Sequence, residues 1–526
     1  MEAQVARLEN PFAAATERFD ELLAELSAKE QMRMTHSEAE TLINTAGTEV
    51  MRLLLQGHVD LRARGEIAGR QLVGADGVTR TQIRVHQRGL MSIFGEVEVA
   101  RLGYCADGAQ SLHPLDAQLN LPLELYSLGV RRRCSEEAAR GSFDGAVDAL
   151  LRSTGARVPK RQLEQVVVRA SKDFDGFYED RRASGAAASL PAGPLLVITT
   201  DGKGISMRKE ALREATRKAA EQRRPKLGKR LSKGEKRHRK RMSMVASVYT
   251  LERFARRPED IVGELDRRRV VAIRRPRPQS KRVWASVEKP AEDVIAEAFA
   301  EAIGRDPEHE KRWVVLVDGN EPQIDHMLRF EKEHCLDLTI VVDLMHVLGY
   351  LWKAAWVFHA EGTREAETWV TERLLQVLRG RSSEVAGGIR RSATLRGISA
   401  KKRAPADECA DYLIKYRVFL RYDEYLADGL PIATGVIEGA CRHLVEDRLG
   451  LTGAHWGVEG AEAVLKLRAL RSSGDFDDYW NFHEKHELER NHRALYANGA
   501  LPDNGRATRR ETSKGRNLRL IPGLSS

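Results

Sequence analysis

Three apolar runs, each closing on an aspartate, limit what this chain can fold into. PLLVITTDG ends in Asp201-Gly202, WVVLVDGN ends in Asp318-Gly319, and LDLTIVVD ends in Asp343. Uninterrupted runs rich in β-branched residues suit strands buried on both faces, and such strands need helices packed over them. RMSMVASVYTLE, near 241–252, and RVWASVEK, near 282–289, read as two further strands. PAEDVIAEAFAEAIG reads as a helix with proline in its first turn. The order strand, strand, strand, helix, strand, helix, strand predicts an α/β core. With 526 residues the chain exceeds one hydrophobic core, so several domains are expected.

The flanks have a different period. Phe12, Phe19, Leu22, Leu23 and Leu26 recur at helical spacing. Ser37 with Glu40 predicts a capping box ahead of a second helix carrying Leu42, Ile43, Ala46, Val50, Leu53 and Leu54. This pair is either a dimerisation element or a cover for its own domain. In LMSIFGEVEVARLGY apolar residues alternate about Gly95, which predicts a β-hairpin within 79–104. Across 135–172 two short helices are expected. Ser142 caps the first and Gly155 closes it, while Pro159 stands in the first turn of the second. The spacing suits a helix-turn-helix with Lys160, Arg161 and Gln162 at the reading end, or a plain helical hairpin. Helices dominate from Met345 onward, and one is expected to start near Thr434 and stop at Gly450.

Charge is unevenly spread. Lys203 to Arg241 carries 17 Lys/Arg against four Glu, a surplus larger than the chain's whole net charge of +10. Such a run repels itself and is either a solvated loop or a partner for a polyanion such as a phosphate backbone. Arg223, Arg224, Lys229, Arg230, Lys236, Arg237, Arg239, Lys240 and Arg241 are its candidate DNA contacts. The five cysteines are scattered, with no CxxC pair, which excludes a disulfide scaffold and speaks against a cysteine zinc site. No run of about 18 apolar residues exists to span a membrane. The polar start MEAQVARLENPF does not read as a signal peptide, so an intracellular location is expected.

Asp201, Asp318 and Glu438 are the candidate catalytic acids. Ligands of open α/β sheets bind at strand ends. Carboxylates there suit hard divalent cations, and a pair of Mg²⁺ or Mn²⁺ ions serves phosphodiester chemistry. Each residue also has an ordinary reading: Asp-Gly is a common turn dipeptide, and Glu438 could pair with Arg442 one turn along.

At ITTDGKG, VVLVDGN, VVDLMHVLGYLWKAA, GVIEGACRHLVEDRLG and AHWGVEGAEAVLKLRAL, together with the FGEVEVARLGY hairpin and PLDAQLNLP, the chain resembles the ISKra-type insertion-sequence transposases. More distantly it resembles the Mutator-like group. The resemblance covers most of the chain. It implies a DDE enzyme with an α/β RNase H-like catalytic core and a helical insertion, preceded by a mostly α N-terminal region containing the β-hairpin. It assigns Asp201, Asp318 and Glu438 to two Mg²⁺ or Mn²⁺ ions. Asp343 with His346, in Asp-Leu-Met-His, is the alternative second acid. Trp456 is carried over as a contact to an unstacked base near the cleavage point.

The expected organisation follows from these readings. Residues 1–130 are the helical region with hairpin, 131–182 the helix-turn-helix-like segment and 183–193 a linker. Residues 194–346 begin the core, with a basic insertion at 203–241. Residues 347–430 are the helical insertion, 431–498 complete the core and 499–526 form a basic disordered tail. The implied function is Mg²⁺-dependent cleavage and strand transfer at insertion-sequence ends. The partners are element ends and target DNA, bound by a homodimer or higher oligomer in the bacterial cytoplasm at the nucleoid. A DNA-binding regulator on an inactive core and a structure-specific nuclease are the alternatives.

Overall fold

A computed structural model describes residues 10–66, 71–188, 190, 192–224, 227, 238–265, 274–451 and 453–501. The chain divides into two compact units. One takes in Met1–Arg133, Leu150–Val158 and His483–Ser526; the other takes in Cys134–Ala149 and Pro159–Phe482. Among the described residues no helix is long and apolar enough to cross a membrane.

The first unit opens with helices Ala13–Ser27 and His36–Arg64. The capping box forms two residues before the expected one. Thr35 Oγ1 accepts from Glu38 N, and the Glu38 carboxylate accepts from Thr35 N at 2.8 Å. The sequence THSEAE holds two overlapping boxes, and using the first adds two residues to the hydrogen-bonded helix. Two short strands, β1 (Leu72–Val73) and β2 (Thr79–Arg80), pair with each other. The hairpin strands β3 (Gln82–Ser92) and β4 (Gly95–Cys105) pair in unbroken register from Gln82↔Cys105 to Ser92↔Gly95. Its two-residue connection, Ile93-Phe94, is followed by Gly95 at φ +121, a conformation that favours glycine. Val59 from the second helix packs with Leu90, Val97, Val99 and Leu115.

The second unit is a mixed α/β layer built on five strands: β5 (Leu195–Ser206), β6 (Lys240–Leu251), β7 (Gln279–Ser286), β8 (Arg312–Val317) and β9 (Leu338–Val342), in the order β7-β6-β5-β8-β9. The first three are antiparallel neighbours, whereas β8 and β9 run parallel to β5. Every residue from Leu195 to Thr200 and from Trp313 to Val317 is buried, so both faces of the sheet are covered. Helix Ala291–Arg305 supplies Val294, Ile295, Ala298, Phe299 and Ala302 to this core, and helix Glu321–Glu333 connects β8 to β9. Helices Leu344–Phe358, Arg364–Leu378, Ser382–Leu395, Ala400–Lys415 and Tyr422–Ala427 lie between β9 and the helix that begins at Gly435.

Three expectations need correction. β5 does not stop at Asp201-Gly202 but runs on to Ser206, because the long partner β6 pairs with it from Ser206↔Lys240 onward. The basic stretch 203–241 is therefore not one loop: its ends are sheet, and it contains the helix Glu214–Glu221. Pro159 and Pro290 are the N-cap residues of helices Lys160–Ala170 and Ala291–Arg305 and not part of their first turns. The predicted linker residues 189 and 191, and 502–526 of the tail, lie outside the described residues, as does most of a further basic stretch, RRRVVAIRRPR at 267–277.

A buried ion triad ties β7 to helix Ala291–Arg305. Glu301 accepts from Arg282 on β7 and from Arg305 Nε one turn away at 2.8 Å, and all three are at least nine-tenths buried. Burial alone would raise the Glu301 carboxyl, but the two guanidinium groups outweigh it and hold the group at about 2. Glu301→Gln leaves two buried cations short of a counter-charge and should cost about 3–5 kcal/mol in urea unfolding at pH 7. Because the folded-state value is depressed, the Glu301 contribution is present above about pH 4.5 and fades as the pH falls toward 2. The variant's deficit should shrink across that window.

Candidate active site

The parallel register lines up the three aspartates. The last pairs of β5 with β8 and of β8 with β9 are Thr199↔Leu316 and Val317↔Val342. Two residues further along β5 and β8 stand Asp201 and Asp318; one residue beyond the second pair stand Asp318 and Asp343. Side chains repeat every second residue, so Asp201 and Asp318 share a face with Thr199 and Leu316. Neighbouring strands are about 4.8 Å apart, which makes Asp201, Asp318 and Asp343 a row along one end of the sheet.

Each acid is held differently. Asp201 is half-buried; Oδ1 accepts from Gly202 N at 2.6 Å, and Oδ2 accepts the thiol of Cys441 at 3.3 Å. Asp318 is half-buried, and its Oδ1 accepts from Asn320 N at 2.8 Å. The following turn is clamped by two tyrosines, with Tyr412 Oη donating to Asp318 O and Tyr416 Oη to Gly319 O. Gly319 has φ +89, and a Cβ there would lie 2.6 Å from Tyr412 Oη, so only glycine fits. Asp343 is fully buried. Its Oδ1 accepts from Met345 N at 3.2 Å and Thr434 N at 3.1 Å, and its Oδ2 faces His346 Nδ1 at 2.9 Å. Both oxygens of Asp343 are therefore committed within the protein.

His346 reports on the row. Its hydrogen bond to Asp343 raises its pKa, burial opposes the rise, and the charges of Asp343, Asp318 and Asp201 add to it. The imidazole is still partly open to solvent, with its side chain 46% exposed.

Glu438 arrives on helix Gly435–Ala440, which Thr434 starts as expected. It is exposed, and it forms no ion pair with Arg442; that guanidinium lies 3.6 Å from Asp447. Cys441 follows Glu438 by three residues, which places the two on one helix face. The Cys441 thiol is pushed up by burial, then by Asp201, with Glu438 contributing. Asp201 thus touches this thiol, and Glu438 stands one turn before it on the same helix. At Cys441–Glu446 the helix widens into a π turn, then returns to α through Leu449 and ends at Gly450. Turns of this kind recur at functional sites. Among the described residues no three His, Cys, Asp or Glu side chains are gathered into a ready metal site.

The candidate DNA contacts divide. Lys160 and Arg161 are exposed at the start of helix Lys160–Ala170 and, with Trp456, line one cavity; Lys160 is paired with Asp144 at 2.8 Å. Trp456 is buried, with Phe143 at 5.9 Å and the Arg448 guanidinium at 4.8 Å from its ring. Arg223 and Arg224 follow helix Glu214–Glu221, and Arg239 and Lys240 are exposed beside the start of β6. Arg241 is spent on structure: it donates to Val287 O at 2.7 Å and to Ala211 O and Glu288 O. Lys229, Arg230, Lys236 and Arg237 lie outside the described residues. Sequence reasoning missed Cys441, Tyr412 and Tyr416. The i, i+3 spacing from Glu438 was the one signal for Cys441; nothing local marks the tyrosines.

No protein-family model matches the chain, and comparison with curated proteins returns no match. The geometry is open to a direct check. In metal-free protein the His346 resonances should titrate above the ordinary histidine range, and Asp343→Asn should bring them back toward it. The sign follows from the raised value: stabilisation by His346 is full below its unfolded pKa and is lost as pH rises through the folded one. An unshifted wild-type titration would remove the His346–Asp343 hydrogen bond from the site.

Proposed function

We propose that the chain is a DDE transposase with an RNase H-like core, cutting the ends of an insertion sequence and joining them to target DNA. The observation that carries this reading is the β5–β8 register, which sets Asp201 beside Asp318, with Glu438 brought to Asp201 through Cys441. Asp318 takes the second role because it is only half-buried, whereas Asp343 is fully buried and held from three sides by Met345, His346 and Thr434. Asp343 is a positioning residue, fixing His346 and the start of the Glu438 helix.

Hard carboxylate oxygens with no cysteine set suit Mg²⁺ or Mn²⁺, so Asp201, Asp318 and Glu438 are the residues that would hold them. Two ions bound there supply an activated hydroxide and neutralise charge on the scissile phosphate. The chain's own part is to fix the acids along one sheet end. His346, drawn toward its protonated form, orients an anionic phosphate beside them. The exposed cations Arg239, Lys240, Lys160 and Arg161 give the phosphate backbone its track. Exposed Phe19, Leu23, Ile43, Met51, Leu54 and Leu61 on the first two helices favour pairing of two copies, one for each element end.

In a cleavage assay on inverted-repeat DNA, Asp201→Asn, Asp318→Asn and Glu438→Gln should each reduce Mg²⁺-dependent nicking to background while DNA binding survives, and chelation should do the same to the wild type. Asp343→Asn should retain measurable nicking. Joined products separate a transposase from a nuclease. The other reading is a DNA-binding regulator on an inactive core. Wild-type binding with no Mg²⁺-dependent product would establish that reading instead. Light scattering tests the pairing: Met51→Glu with Leu54→Glu should yield monomers where the wild type gives dimers.

A further inference from the structure

A cavity of about 960 Å³ lies away from the acid row, lined by the starts of three helices: Phe143–Thr154, Lys160–Ala170 and Val458–Ser473. Helix starts present unsatisfied N–H groups and partial positive charge. Here the last two have no side-chain cap. Its lining includes Arg448, which is 3% exposed. Arg448 Nε donates to Ala138 O, and its guanidinium touches the rings of Phe143 and Trp456. Among the described residues no carboxylate pairs with it, and its Nη2 is buried with no acceptor. Burial and Arg468 push it down to about 10. Trp456, 7% exposed, likewise keeps a buried Nε1 without an acceptor. A buried cation without a counter-ion is costly, and so is a buried donor without a partner. Exposed Arg161 and Arg208 stand on the same lining; Glu164 and Glu459 are there too, so surface charge alone does not select a ligand.

We infer that this cavity is an anion site for a phosphoryl group carried on a nucleotide, with Arg448 as its buried counter-charge and Trp456 Nε1 as a second donor. The cavity is large enough for a sugar and base as well as the phosphate. Arg448 lies over the Trp456 ring and Phe143 leans against it at 53°, so the indole serves through its N–H and not as a stacking platform. Trp456 is bridged to Met207, the residue just past the end of β5, six residues from Asp201 and so roughly 20 Å from the acid row. That is a few nucleotides along a strand, or a separate pocket for a free nucleotide. The inference does not rest on the acid row: cleavage can fail while this cavity still binds.

Full-length protein labelled with 5-fluorotryptophan gives a ¹⁹F resonance for Trp456, assigned by Trp456→Phe. Pyrophosphate, dAMP and a ten-nucleotide single strand are titrated in turn. A shift with the oligonucleotide assigns the site to a DNA strand; a shift with dAMP or pyrophosphate alone assigns it to a free phosphorylated ligand. Arg448→Met should lose roughly thirtyfold or more in affinity. Its melting temperature without ligand should hold or rise, since an unpaired buried charge has been removed. If that variant does not fold, Arg161→Ala with Arg208→Ala, both at exposed positions, should weaken binding in its place. A Trp456 resonance unmoved by all three probes overturns the inference. So does one that moves equally in the variants.

Discussion

One buried carboxylate holds the acid-bearing end of the sheet in place. Asp343 caps the helix that follows β9, anchors the backbone at Thr434 and orients His346. Met345 and His346 are two and three residues on, whereas Thr434 is 91 residues away, and that bond is buried, where leaving it unmade carries a penalty. The Glu438 helix starts immediately after the residue Asp343 grips. The third acid therefore depends on an aspartate that has no contact with it.

The helical segment between β9 and Glu438 also has a physical role. From it Tyr412 and Tyr416 reach back to the carbonyls of Asp318 and Gly319. The turn they clamp must accept a left-handed residue and a close phenol, which explains why the dipeptide is Asp-Gly beyond its general aptitude for turns. A segment that looks like a mere insertion in sequence is a brace for the second acid.

Much of this was legible in the residues. The apolar runs at 195–200 and 313–317 announced strands buried on both faces, and their aspartates do fall in one row. Period alone could not show where β5 ends, because that depends on the length of β6, a partner 40 residues away. Nor could it choose between two capping boxes in THSEAE, where both obey the same rule. The fate of Asp343 was invisible for the same reason: DLMH announces a helix cap and a nearby histidine, but the third bond comes from Thr434, which no local pattern links to it. Charge was the least reliable guide. Arg241 sits at the edge of the densest basic run yet serves three backbone carbonyls, whereas Arg448, well outside that run, is a buried cation with no counter-ion among the described residues.

The π turn at Cys441–Glu446 sets the phase between the two ends of its helix. An α-helix turns about 100° per residue, and a wide turn accommodates one residue beyond the regular count. Glu438 precedes the turn and Arg448 follows it, so the wide turn takes up its extra residue without rotating one against the other. Loss of a single residue there would restore a regular spiral and leave the two ends in phase. Loss of one residue elsewhere between them has no such slack and would swing one end by about 100°.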